Sequence, residues 1–349
     1  MRFLLTDEQR EFAQALDGML GASGTPAVAR AWAAGDHRPG RALWTRIAEA
    51  GVWGLGVPEK HGGSGLLPVE LALSLEELGR HAVPGPLVET VAAAAFLARL
   101  GADAEAGEWL PRIASGGAVL SLCAGAGPYA LDAEAADPAR QALDVVGPAP
   151  YALDADAADA VLVIQGDTVS RTDTHGPVQS SLDPARRLAR PLDGTVLARG
   201  PAVTAAAAHA TEVARLLTAA QSLGLGRALL AATVSYVRQR TQFRVPIGSF
   251  QVVKHRLADT LIGLEFARPL VHAAALALAA GAASAGREVA AAKVAAGEAG
   301  YAAARTALQL HGAIGYTEEL DLSLWIRKAR PLRDAWGTPA DCRARVLTG

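Results

Sequence analysis

Apolar residues recur at helical spacing through most of the chain, and that spacing breaks down in one central region. Thr6-Asp7-Glu8-Gln9 offers an N-cap and an acidic first turn, after which Phe12, Leu16 and Leu20 lie on one face and predict a first helix. Leu43, Trp44 and Ile47 predict a second over about 41–50, stopped at Gly51 as at a C-cap. The stretch VPEKHGGSG, 57–65, reads as a loop because its glycines and proline disfavour regular structure. Helical periodicity returns over 67–78 and 88–100, with one more turn around 109–113. From about Ala118 the texture changes: AVLSLCAG, ALDVV, AVLVI and TVLARG are short β-leaning runs parted by Asp, Gly and Pro. The intervening 129–160 is rich in Ala, Asp and Pro, which is weak strand material suited to a loop.

The helical pattern resumes at Val203 and runs to Arg240, long enough for about ten turns. Gly224 and Gly226 inside it are expected to mark a tight packing point. RTQFRVPIGSFQ, 240–251, follows, with Pro246 and Gly248 expected to end the helix. Long apolar-striped helices are predicted over 251–280 and 284–310, and a shorter one over 317–330. The fold class is therefore α+β, mostly α, in three domains: helical over 1–116, a small β domain over 117–202, and a four-helix bundle over 203–349.

Charge narrows the partners. Lys and Arg number 33 against 35 Asp and Glu, a formal net charge of −2, so nothing electrostatic recommends nucleic acid or an anionic membrane. The two cysteines, Cys123 and Cys342, are far apart and suggest neither a disulfide framework nor a zinc site. MRFLLTDEQREF turns acidic too soon for a signal peptide, and the apolar window 269–283 is too short for a membrane span, so a cytoplasmic protein is expected. No GxSxG, GxxxxGK[ST] or HExxH pattern occurs, and the eight histidines lack metal-ligand spacing. Gly224-Leu225-Gly226 lacks the preceding strand of a dinucleotide fingerprint.

Two stretches carry candidate chemistry. RTQFRVPIG presents Arg240, Gln242, Phe243 and Arg244 at a helix C-terminus. The helix dipole alone accounts for an arginine there, yet a guanidinium beside an amide and a flat aromatic also suits a pyrophosphate with its nucleoside. In ALQLHGAIGYTEELDL, 307–322, a helix breaks at Gly312; Gly315 follows, and Gln309 can donate and accept hydrogen bonds. Alone, this stretch is equally an ordinary helix corner.

Together, in this order and separated by two long helices, RTQFRVPIGSFQVVKHRLAD and ALQLHGAIGYTEELDLSLWIRKAR resemble the acyl-CoA dehydrogenase family. LLTDEQREF, LWTRIAEAGVWGLGVPEKHGGSG and LSLEELGR resemble its first helical domain, and SLDPARRLAR the end of its β domain. The resemblance spans about residues 3–340 and is weakest over 120–180. It implies α,β-desaturation of an acyl-CoA or acyl-carrier thioester with FAD bound at subunit interfaces, and electrons passed on to an electron-accepting flavoprotein. A carboxylate would remove the α proton while the β hydrogen leaves as hydride to the flavin. The resemblance places Arg240, Gln242 and Phe243, with Gln309, Gly312 and Thr338, against the ADP half of FAD held mainly by a neighbouring subunit. Arg244 stands where the family usually has glycine.

The same resemblance exposes two departures. The family's catalytic glutamate falls in a Glu-Gly-Thr turn, and this chain reads Trp336-Gly337-Thr338; tryptophan cannot take a proton. The other position used for a base, on the first bundle helix, is Ala214 here, with Glu212 about 200° away around the helix. SLCAGAGPYALD, 121–132, lacks the Thr-Glu and Gly-Ser-Asp groups that hold a flavin ring. The expectation is a base-lacking subunit completed by a second acyl-CoA dehydrogenase subunit in a heterodimer or heterotetramer, of the kind acting in lipid or steroid metabolism. The alternatives are a self-sufficient enzyme with its base moved to Glu212, Asp334 or Glu318, and a non-catalytic acyl-carrier or interaction protein on the same scaffold. Asp334 is expected to pair with Arg330 or Arg333, and Trp336 to fill a disused substrate pocket.

Overall fold

The computed structural model describes residues 5–124 and 150–348. The expected ALDVV strand and the part of 121–132 beyond Ala124 lie outside these residues. In chain order the elements are α1 (Asp7–Gly21), α2 (Thr25–Ala33), α3 (Arg38–Glu49), α4 (Pro68–Arg80), α5 (Leu87–Leu100), α6 (Asp103–Ala114), β1 (Leu120–Ala124), β2 (Ala152–Leu153), β3 (Ala160–Gln165), β4 (Thr168–Thr172), β5 (Thr174–His175), β6 (Leu188–Ala189), β7 (Pro191–Leu192), β8 (Thr195–Arg199), α7 (Pro201–Gln239), β9 (Thr241–Gln242), β10 (Val245–Pro246), α8 (Gln251–Ala279), α9 (Ala285–His311), α10 (Leu322–Asp334) and α11 (Pro339–Thr348). The architecture is α+β and mostly helical, as its hydrophobic pattern predicts.

The chain forms two compact units, one from 1–43, 67–84 and 215–349, the other from 44–66 and 85–214. In the first, α1 begins with a capping box: Gln9 N donates to the Thr6 hydroxyl at 3.2 Å, and Thr6 N donates to Gln9 Oε1 at 3.0 Å. Its core joins Leu225 and Leu229 of α7, Ala303 and Ala307 of α9, and Leu322 and Leu332 of α10. Glycine sets how closely these helices approach. A Cβ on Gly224 would stand 1.7 Å from the Glu76 carbonyl oxygen, and one on Gly300 2.6 Å from that of Ser222, which bears out the packing point expected in α7. α8 is long and apolar enough by length and composition to cross a membrane, but it packs along α9 and buries Leu264, Ala267, Val271 and Ala274.

The second unit is built on a sheet of order β1-β3-β4-β8. β1 runs parallel to β3 with Leu120 opposite Ala160, and β4 is antiparallel to both β3 and β8, with a register shift at Val169/Ser170. The Thr90 hydroxyl donates to the Leu120 carbonyl at 2.6 Å and ties α5 to the sheet. The 57–65 loop, with a 3₁₀ turn at Glu59–His61, needs Gly63, where a Cβ would meet the Val57 carbonyl oxygen at 2.0 Å.

Several boundaries differ from expectation. α2, β4 and α11 were not predicted, and the single turn at 109–113 is the end of the longer α6. The helix expected over 317–330 begins only at Leu322, because 312–316 form a 3₁₀ turn and Asp321 precedes the first turn. α7 ends at Gln239, before Pro246: the β9–β10 hairpin terminates it rather than the proline.

Candidate functional site

The two chemistry-bearing stretches lie in the first unit and close two helix ends. After α7, the hairpin pairs Gln242 with Val245 and turns through Phe243 and Arg244 at φ 51° and 67°, the left-handed conformation that hairpin turns normally give to Asn-Gly. Ile247 N donates to the Arg240 carbonyl at 2.8 Å and closes the segment. Phe243 is 88% exposed, touching Phe250 edge-on. The guanidiniums of Arg240 and Arg244 make no ion pair or hydrogen bond among the described residues, and Gln242 is exposed. After α9, Gly312 adopts φ 63° and the 3₁₀ turn leads to Tyr316. Gln309 lines a cleft of about 410 Å³ with Arg256, Arg305, Thr306 and Tyr316, and none of its lining residues, among the described residues, is a carboxylate. The two segments are joined where Tyr236, near the end of α7, stacks on His311, the last residue of α9.

The Trp336 turn lies between α10 and α11. Trp336 itself is at φ 58° and 5% exposed, and Gly337 follows at φ 135°. Two cations hold this turn through its carbonyls. Arg215 Nε donates to the Trp336 carbonyl at 2.9 Å. Lys293 Nζ, on a residue only 2% exposed, donates to the carbonyls of Arg333 at 2.7 Å, Leu332 at 3.2 Å and Gly337 at 3.5 Å. Burial lowers the Lys293 pKa to about 8. The Leu332 and Arg333 carbonyls sit at the negative end of α10, so the ammonium also meets the helix dipole. Thr338 caps α11: its hydroxyl donates to Asp341 Oδ2 at 2.7 Å and accepts from Asp341 N at 3.2 Å.

The structure also disposes the other candidate carboxylates. Asp334 pairs with Arg330 at 2.9 Å and with Arg333 at 3.8 Å, the role expected for it, and Glu318 pairs with Arg327 at 2.9 Å. Ala214 is fully buried on the part of α7 in the second unit, where Glu212 is partly exposed.

One acidic site was not singled out from sequence. α4 carries two adjacent buried glutamates. Glu76 pairs with Arg227, while Glu77 lies 3.6 Å from Arg80 and close to Asp17 and His81, which are themselves 2.7 Å apart. Burial, the largest effect, raises the Glu77 pKa to about 7. Arg80, 3.6 Å from Asp17 as well, supplies a cation to this cluster. The available signal was the pair of adjacent glutamates inside an otherwise apolar helix.

Two family models match the chain: acyl-CoA dehydrogenase, N-terminal domain over 6–117, and acyl-CoA dehydrogenase, C-terminal domain over 204–344. The acyl-CoA dehydrogenase IpdE2 of Mycobacterium tuberculosis is 31% identical, over 97% of this chain and 96% of its own length. The chain belongs to the acyl-CoA dehydrogenase family. Among solved structures, a chain of the ChsE4-ChsE5 complex from Mycobacterium tuberculosis is 25% identical, with a TM-score of 0.82 covering 99% of this chain and 98% of that one. A chain of the Tcur3481-Tcur3483 steroid ACAD is 26% identical, with a TM-score of 0.81 over 98% and 97%. This acyl-CoA dehydrogenase homologue thus keeps the family's N-terminal and C-terminal domains, with a buried tryptophan in the 335–338 turn.

Proposed function

We propose that this chain is the base-lacking subunit of a heteromeric, FAD-dependent acyl-CoA dehydrogenase that desaturates an acyl thioester with a partner subunit. The observation that carries the reading is Trp336: a residue unable to take a proton, buried, in a turn held by Arg215 and Lys293. The alternative position, Ala214, is buried and equally inert, so the partner supplies the carboxylate that removes the α proton. Asp334 and Glu318 are engaged in ion pairs, which weakens the case for a relocated base.

The residues here fit one half of the cofactor. Arg240 offers an uncommitted guanidinium to a pyrophosphate, Phe243 an exposed flat face to the adenosine side, and Gln309 its amide beside a carboxylate-free cleft, with Gly312 leaving room for close approach. When bound, FAD supplies the acceptor for the β hydrogen. This chain's own contribution is to bind and orient the ADP half across the subunit interface. An analogy in relatives supports a two-protein assembly, since one similar structure is the ChsE4-ChsE5 complex and another is the Tcur3481-Tcur3483 steroid ACAD. A bulky acyl group and a cytoplasmic location follow the same reading.

The deciding experiment is visible absorbance of the chain purified alone and after co-expression with a dehydrogenase-like partner. Colourless alone and yellow together, with one FAD per pair of chains, is the expected result. Stoichiometric FAD and acyl-CoA desaturation in the chain alone would overturn the reading and turn attention to Glu212. No flavin under any partner would leave the scaffold as an interaction protein.

A further inference from the structure

We propose that Tyr236 and His311 are positioning residues for the nucleotide, their stacked rings setting the spacing between the Arg240 hairpin and the Gln309 corner. The inference rests on the reading of those two segments as the grip on the ADP half of FAD.

Tyr236 precedes the hairpin that carries Arg240, and His311 follows Gln309 by two residues at the end of α9; Arg240 and Gln309 are both exposed. Tyr236 lies in the final turn of α7, and Arg240 N donates to its carbonyl at 2.9 Å, so the Arg240 backbone is hung directly on this residue. His311 ends α9 and is followed at once by Gly312, where the chain turns to φ 63°. The ring centroids are 4.1 Å apart with planes inclined by 23°, and the Tyr236 hydroxyl donates to the His311 carbonyl at 3.4 Å. Imidazole orientation is fixed as well: Nδ1 lies 2.8 Å from the Ala307 carbonyl, which can only accept, so Nδ1 carries the proton. Burial lowers the His311 pKa, favouring the neutral ring that stacks flat.

Leucines in both places would fill comparable volume, so core packing alone does not require this pair. What the stack adds is a fixed separation and orientation of two helix ends that carry different contacts to one ligand. A pyrophosphate held by Arg240 and a nucleotide group held from Gln309 are gripped together only if that separation matches the ligand, and pre-setting it removes an ordering cost from binding.

The test uses the assembly in which this chain is purified with FAD, and reads FAD dissociation by the return of flavin fluorescence. Tyr236→Leu and His311→Leu are each expected to weaken FAD by about three- to tenfold, the range of one aromatic pair. His311→Phe, which keeps a flat ring, is expected to restore most of the affinity. Leu229→Ala, in the neighbouring core, is expected to lower the melting temperature with FAD affinity unchanged. If Arg240→Ala leaves FAD binding unchanged, or no assembly holds FAD, the nucleotide reading fails and the inference with it. If Arg240→Ala weakens FAD while both leucine variants only lower the melting temperature as Leu229→Ala does, the positioning role alone is overturned.

Discussion

A tryptophan at φ 58° is a costly choice of residue, since a side chain in the left-handed region costs about 1 kcal/mol or more relative to glycine. The strain at Trp336 persists because the turn is over-determined by Arg215 and Lys293. Placing a carboxylate there therefore puts it in an already ordered turn. Even so, under the proposed reading Trp336→Glu in the isolated chain is expected to give no acyl-CoA desaturation, because the sequence 121–132 has neither the Thr-Glu nor the Gly-Ser-Asp that the family resemblance assigns to the flavin ring. Turnover with an artificial electron acceptor by that variant alone would refute the one-sided site. Arg244 at φ 67° is strained in the same way, and Arg244→Gly is expected to raise stability by about 1 kcal/mol in denaturant titration. Glu77 gives a pH-dependent counterpart. Its folded-state pKa is about 7 against an ordinary 4.5, so the folded state holds a proton that the unfolded state has released across that window. Its contribution is fully present below pH 4.5 and is lost as pH rises through 7. Glu77→Gln should flatten that part of the stability-pH curve, and an unchanged slope from pH 4.5 to 7 would show that the carboxyl is not held neutral.

At the scale of elements, the helix crossings depend on atoms that are missing. Gly224→Ala would drive a methyl group into the Glu76 carbonyl, and backbone cannot move aside as a flexible side chain would. A loss of about 1–3 kcal/mol is expected, read as a lower urea midpoint at constant slope. This contact was legible in the sequence because glycine weakens a helix interior, and inside a long apolar period it marks a place where another backbone comes close. The long helices α7, α8 and α9 were legible as extended alanine- and leucine-rich runs bounded by turn residues, too long for strands. The β9–β10 hairpin was not, since Phe243-Arg244 occupies a turn whose usual signal is Asn-Gly. The start of α10 was misplaced because Thr317-Glu318-Glu319 satisfies the N-cap rule while the chain is still leaving a 3₁₀ turn. At the site, that position 336 carries no carboxylate can be read from one letter, Trp336. That Lys293 would reach the carbonyls ending α10 cannot, because periodicity tells which face is buried and not which acceptor a buried cation meets.

Among the described residues, α8 leaves an apolar face uncovered, and this bears on what the chain assembles with. Ile262, Phe266 and Leu270 recur every fourth residue along α8 and are all exposed. A contiguous apolar stripe on water is the usual mark of an interface. The other side of α8 is packed on α9, and no described residue covers the stripe. Under the heteromeric reading the partner dehydrogenase subunit covers it. Phe266→Glu then separates association from folding, because Phe266 is exposed and its replacement removes little from the chain's own core. The variant alone is expected to melt within about 0.5 kcal/mol of the parent. Co-expressed with the partner, it is expected to elute as a separate chain in size-exclusion chromatography with light scattering, and to emerge colourless. An intact yellow complex carrying Phe266→Glu would place the partner on another surface of this chain.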